Sequence, residues 1–546
     1  VRAKGSQTIR AFGVAGAGGA YAGVSGSVAV NIINNAVNAL IKGNTSVTAE
    51  DNIGVVAQSD ETLLNYAGIV SGGLVGVGAG LSVNDIQGDT NACIENSTVK
   101  AMGKNAGISL KNEISDTAMN DAFIDDATVN AQYTLEKSRI SSTKTGLVVD
   151  SSATHTLKSF VANAAAGGGG IAGTVNVSRI SGTTGARISN TRINNGATGD
   201  VSVNAGDYSN LSGFVGSAGL GGTGVGIAAD TGMVNRTTSA KLDGIVSDAT
   251  SSSTARNVSV KADAKLGISA VDAGLAVGAG GNAIAGTLAT NIMQSNTEAI
   301  VNNANITLKS LGVNATHKAK TSIAAGAVSA SLYGSIGGSL GVNSVKDLVK
   351  AEITGSNIIM QSNGSGKFEV QALNDTTLNT VGAAVGGSLV VTGSGNLAVN
   401  LIESDVLAHV KNTTMTNRAT DVTVKADDKL NIDANLGTVA VGAVGAGASI
   451  AVNTLDGKSR AVIDSSILYA RDNMNITADT TRNLTQLVGT AAGGAGAFTG
   501  NVVYISAGKL LTTGSEDGAT NVRNTVTAAE NNSFGNINAT NDTLTD

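Results

Sequence analysis

Along much of the chain apolar and polar side chains alternate, as in Val201-Ser-Val203-Asn-Ala205, Val258-Ser-Val260-Lys-Ala262 and Val422-Thr-Val424-Lys-Ala426. Period two is the signature of a β-strand with one buried face. The triplet usually leads, six or so residues on, to a leucine: Leu63, Leu211, Leu266, Leu378, Leu430 or Leu484. A helix does not suit these segments. Glycine every two or three residues costs up to about 1 kcal/mol each in a helix interior, and no apolar stripe at 3.6-residue spacing persists.

The pattern repeats. A Gly/Ala/Val run closes on Val-Asn or a near equivalent, placing asparagines at Asn31, Asn84, Asn176, Asn291, Asn343, Asn400 and Asn453. About ten residues later comes Ala-x-Ile/Val/Leu, often leading into Asn or Ser, as at Ala39/Ile41, Ala299/Val301 and Ala408/Val410. The alternating triplet is the third anchor. Asn31 to Asn84 is 53 residues, Asn343 to Asn400 is 57 and Asn400 to Asn453 is 53, and a fixed period of this kind marks a repeat architecture. The units divide the chain into repeats 1–2 (1–116), a short irregular unit lacking the glycine-rich run (117–157), repeats 3–8 (158–484) and a degenerate terminal repeat (485–546).

The expected fold is all-β: a right-handed parallel β-helix built from repeats of about 52–57 residues. About five short strands per unit suggest two or more coils each, hence roughly 18 to 27 coils and a rod on the order of 85 to 130 Å long at about 4.8 Å per coil. Trp-Asp and aromatic signatures of propeller blades are absent. The repeated asparagines are expected at coil corners, where the amide satisfies backbone groups and tolerates positive φ. The Gly/Ala runs would let opposing walls approach closely.

Composition narrows the picture. With 72 Gly, no Pro, no Trp and seven each of Tyr and Phe, the core is built from small aliphatic residues. The supply of Val and Ile argues for order over disorder. A net charge of −6 with no basic stripe gives nothing to attract nucleic acid. Cys93 is the only cysteine, so no intrachain disulfide staples the fold. Ala67 to Val83 and Leu436 to Val452 are uncharged runs of about 17 residues, near the lower limit for a spanning helix, but their glycine content argues against a membrane span. The chain begins at Val1 and shows no signal peptide, which reads as an internal segment of a longer polypeptide.

Chemistry is sparse. His155, His317 and His409 fall in different units, outside any metal-spacing motif, and are expected at the surface or at coil corners. The densest acidic stretch, Glu113, Asp116, Asp121, Asp125 and Asp126, is the candidate binding region. As a carbohydrate-cleaving site it would need two carboxylates a few ångströms apart across a groove. The calcium nonapeptide repeat is missing, so no cofactor is expected and Ca²⁺ only incidentally at acidic clusters.

The repeated block Ala22-Gly-Val-Ser-Gly-Ser-Val-Ala-Val-Asn31, the Ala-x-Ile step and the Val-x-Val-x-Ala strand resemble filamentous haemagglutinin-type and leukotoxin-like adhesins of Gram-negative anaerobes. The resemblance implies a type V secreted, cell-surface stalk acting in adhesion, aggregation or biofilm without enzymatic activity. It also implies an outer-membrane secretion barrel as partner and a host or bacterial glycan or protein as receptor. Head-to-tail association into an extracellular filament, and a toxin-like or carbohydrate-processing β-helix, are the alternatives.

Overall fold

The computed structural model describes residues 1–116, 135–193, 199–247, 257–361, 366–508, 534–538 and 544–545. It is a parallel β-solenoid in which each repeat forms one rung. An outbound strand such as Asn257–Gly278 is followed by a tight turn, a return strand Asn282–Asn302 and a short closing strand Asn305–Leu308. In three rungs the outbound and return strands run on without a break: Ile53–Glu95, Leu147–Ser189 and Val201–Asp243.

Register fixes how the rungs stack. Asn343 lies beside Asn400, and Asn400 beside Asn453, so positions one repeat apart in sequence are neighbours in the sheet. The expectation of two or more coils per unit is thereby corrected to one. The Gly, Asn and Ser positions that looked like strand breaks are strand residues, because a parallel neighbour on each side satisfies their backbone groups. Nine rungs follow one another among the described residues, from Arg2–Gly18 and Ala22–Lys42 to Ala470–Gly493 and Gly496–Ala507. At about 4.8 Å per step they stack to roughly 38 Å, with arms about 70 Å long. The result is a broad slab, not the rod of 85 to 130 Å.

The regular stack is interrupted once among the described residues. After the closing strand Thr98–Ala101 an antiparallel hairpin, Ile108–Ile114 with Arg139–Lys144, leaves the solenoid. The next rung starts at Leu147, beside Ile53, within the stretch expected to be irregular (117–157). At the other end the ninth rung carries stacking past residue 484, into the segment expected to be degenerate.

The interior is layered along the arms. At the blunt end the alternating triplets (Val258, Val260, Ala262), the Ala-x-Val steps (Ala299, Val301) and the closing strands (Ile306, Leu308) share one apolar cluster. Farther out Leu63, Leu157 and Leu211, which form one register column, pack on Ile86, Ile180 and Val234 from the return arm. At the tip the walls meet through small residues such as Ala276, Ala283 and Ala285. Two polar layers separate these apolar ones.

The repeated asparagines occupy the outer polar layer, not the corners. Asn84, Asn343, Asn400 and Asn453 are at most 1% exposed and lie in mid-strand. Their amides form a ladder: Asn343 Nδ2 donates to Asn400 Oδ1 (3.1 Å), Asn400 Nδ2 to Asn453 Oδ1 (2.8 Å) and Asn453 Nδ2 to Gln486 Oε1 (2.6 Å). Asn31 Nδ2 donates likewise to Asn84 Oδ1 (2.9 Å), while Asn291 donates to the Ser322 carbonyl. Asn176 is displaced from this column, since Ser178 is what lies beside Asn84. An amide carries donor and acceptor together, so it can pass hydrogen bonds from rung to rung inside the wall. The corners use other asparagines. Asn44, Asn96, Asn190, Asn303 and Asn412, just after the Ala-x-Ile step, have φ between 46° and 58°.

Candidate functional site

The inner polar layer concentrates the charged chemistry of the solenoid. Outbound strands alternate inward and outward, so Glu61 and His155, which are register partners, point to the same side. Glu61 Oε2 lies 3.0 Å from His155 Nε2, both side chains fully buried. His155 Nδ1 is 3.0 Å from Ser209 Oγ, whose hydroxyl donates to Asp207 Oδ1 (2.9 Å). With the serine proton directed at Asp207, the Ser209 oxygen is left to accept from Nδ1.

Arg236 completes the group from the return arm. It pairs with Asp207 (Nη2 to Oδ2 2.6 Å, Nε to Oδ2 2.8 Å) and donates to the carbonyls of Gly88 and Ser181, both at 2.7 Å. Two carboxylates thus face the guanidinium and the imidazole. Burial raises the Glu61 pKa, but His155 and hydrogen bonds from Ser59 and Asn35 outweigh it and leave the group lowered. Burial acts on Asp207 the same way and is overcome by Arg236 and His155. Space for the cluster comes from Gly88, where a Cβ would sit 2.5 Å from both Glu61 Oε2 and His155 Nε2.

A second group continues the layer. His317 Nε2 lies 3.1 Å from Asp347 Oδ1 and its Nδ1 3.2 Å from Ser295 Oγ. Asp428 accepts from Asn374 (2.8 Å) and Ser404 (2.5 Å), and burial raises it to about 6. His155 and His317 are therefore interior residues, a correction to the surface or corner positions expected. Each lies on an inward-facing strand position and meets a carboxylate one rung away or across the wall. His409, less deeply placed, contacts Glu352 at 3.3 Å.

Glu61, His155 and Ser209 have the spacing of an acid–base–nucleophile set. Ser209 is 0% exposed and its proton is directed at Asp207, so the arrangement as folded serves charge compensation. In the outer polar layer Asp230 and Asp272 are buried with no basic partner among the described residues. Burial raises Asp230 to about 7, and burial together with repulsion from Asp230 raises Asp272 to about 9.

The acidic stretch is divided. Asp121, Asp125 and Asp126 lie outside the described residues. Glu113 is the penultimate residue of the first hairpin strand, 3.7 Å from Lys261. Asp116 binds Lys265 (2.9 Å) and Lys318; burial raises its pKa, but these two lysines outweigh that and hold it below the usual carboxylate range. The described carboxylates thus clamp the hairpin to the solenoid instead of facing each other. No group of three or more His, Cys, Asp or Glu side chains suited to a metal occurs among the described residues.

The hairpin covers outward residues of the outbound strands. Leu110 packs on Val56 and Val148. Arg139 is buried against Asp60 (2.7 Å), Asn112 Nδ2 donates to Asp150 Oδ1 (2.7 Å), and the Tyr208 hydroxyl donates to the Asn112 carbonyl (3.2 Å). Beneath this cover burial raises Asp150 to about 6. Sequence reasoning missed the ionic layer because its members are scattered over successive repeats. Glu61 and His155 are stacking neighbours, but the hairpin inserted between their rungs breaks the repeat spacing that would have aligned them in the sequence. Compared with family models, with curated protein sequences and with solved structures, the chain matches none. No helix among the described residues is long and apolar enough to cross a membrane.

Proposed function

We propose that the chain is a non-catalytic structural segment of a secreted bacterial surface adhesin of the filamentous haemagglutinin type, displaying an adhesive element on a rigid solenoid. The observation that carries this reading is the docked hairpin. Among the described residues it is the one element inserted between two rungs of the stack, and it is fastened to the outbound face by Arg139–Asp60 and Asp116–Lys265. A uniform scaffold that holds a single irregular element in a fixed place suits display. The closed, filled rungs supply stiffness, and the resemblance of the repeat blocks supplies the surface setting.

The test is binding of the purified chain to host cells and to a glycan array, compared with a variant in which residues 104–145 are replaced by a short turn. Loss of binding with an unchanged β circular dichroism spectrum supports display by the hairpin. Equal binding by both proteins, or no binding by either, overturns it.

A further inference from the structure

The return strands turn one unbroken uncharged surface outward. Register arranges its side chains in columns along the stacking axis. One ridge contains Val225, Ile284 and Ile336 in succession. Two residues farther along each strand Gly286, Gly338 and Gly395 stack into a furrow. Beyond the furrow rises a second ridge of Leu288, Leu340, Leu397 and Ile450, then a column containing Val342, Val399 and Val452. Ile336 is 57% exposed and Ile284 42%. Two open concavities lie along the furrow, lined by Gly338, Gly395 and Ala448.

These four columns span about 23 Å, and nine rungs span roughly 38 Å, giving on the order of 900 Å². Monomers rarely expose contiguous apolar patches larger than a few hundred Å², while a stable protein interface needs about 800 Å² per partner. We propose that this face packs against the same face of a second copy of the chain, about a two-fold axis, with the ridge of one copy seated in the glycine furrow of the other.

One feature favours a second copy over a lipid surface. The relief is specific: at Gly286 and Gly338 the furrow is one side chain deep between Ile284 and Ile336 on one flank and Leu288 and Leu340 on the other, which gives interdigitation with a rigid partner, whereas a fluid bilayer gains nothing from it. The surface is separate from the hairpin and from the ends of the stack, so the proposal stands apart from the adhesion reading.

The test is sedimentation velocity of the whole chain over a hundredfold concentration series. The wild type is expected to move from 53.8 kDa to twice that mass. Two variants separate shape from stickiness. Ile336→Lys with Leu288→Lys places charge on both ridges. Gly395→Val fills the furrow while adding apolar surface, and a Cβ there meets nothing within 4 Å. Both are expected to weaken dimerisation about tenfold or more, with circular dichroism confirming the fold. A wild type that stays at single-copy mass overturns the proposal, as does self-association indifferent to both variants. Co-flotation of monomer with phosphatidylcholine vesicles, abolished by the lysine variant, would assign the face to lipid and overturn it too.

Discussion

His155 lies one rung from Glu61, its Nε2 3.0 Å from the carboxylate oxygen, with both side chains shut off from solvent. The pair is closed on its other side by Asp207 and Arg236. Breaking a buried ionic group by removing one partner costs about 3–5 kcal/mol, because an uncompensated charge remains in the interior. His155→Leu should therefore destabilise the chain by about that amount in urea unfolding. Adding Glu61→Leu should recover much of the loss, since neither charge then remains uncompensated on that side. A double variant as unstable as the sum of the two single ones would remove the coupling.

Asp230 and Asp272 predict a pH dependence of opposite sense to the usual acid denaturation. Burial raises them to about 7 and about 9, above the unfolded value of about 3.9. A raised group binds more protons folded than unfolded, so its contribution is fully present below the unfolded pKa and is lost as pH rises through the folded one. Asp272→Asn removes that dependence. The variant should melt higher than wild type at pH 8, with the difference vanishing near pH 4. An equal shift at both pH values would show that packing, not ionisation, causes it.

What the sequence made legible was periodic. Strand type, parallel stacking and repeat length follow from Val201-Ser-Val203-like alternation and from the spacing of Asn343, Asn400 and Asn453. Coil count was not legible, because glycine and asparagine mark turns in most contexts, and only stacking partners on both sides turn them into strand residues here. The same ambiguity placed left-handed asparagines at positions such as Asn291 instead of Asn303, farther along the same rung. The ionic layer was hidden because Glu61, His155 and Asp207 come from three successive rungs, and no local spacing announces that they meet.

Asn303 and Asn400 should respond to substitution in opposite ways. Asn303 holds φ at 48°, a conformation glycine adopts freely and alanine only at about 1–2 kcal/mol. Asn303→Gly should be nearly neutral and Asn303→Ala destabilising. Asn400 accepts from Asn343 and Thr380 and donates to Asn453. Asn400→Gly therefore strands buried partners on both sides, at about 1–3 kcal/mol for each group left unpaired. Thermal melts of the three variants decide it, and a tolerated Asn400→Gly would argue against a stabilising ladder.

Arg139 should control whether the hairpin stays docked. Its guanidinium is buried against Asp60 and reaches the carbonyls of Ser59 and Lys111, joining hairpin to solenoid. Truncation leaves Asp60 without its buried partner, and several kcal/mol of docking are at stake. The rungs beneath keep their own strand pairing, because Ile53–Glu95 and Leu147–Ser189 hydrogen-bond to each other directly. Arg139→Ala should therefore uncouple the two parts: hydrogen exchange at residues 108–114 and 139–144 should accelerate strongly while that at 147–189 changes little. Once uncovered, Asp150 loses the burial that raises it to about 6 and should titrate closer to an ordinary aspartate, a shift readable by carboxyl ¹³C NMR. If the strands of the second and third rungs lose protection together with the hairpin, the hairpin is part of the solenoid's cooperative unit instead of an element displayed upon it.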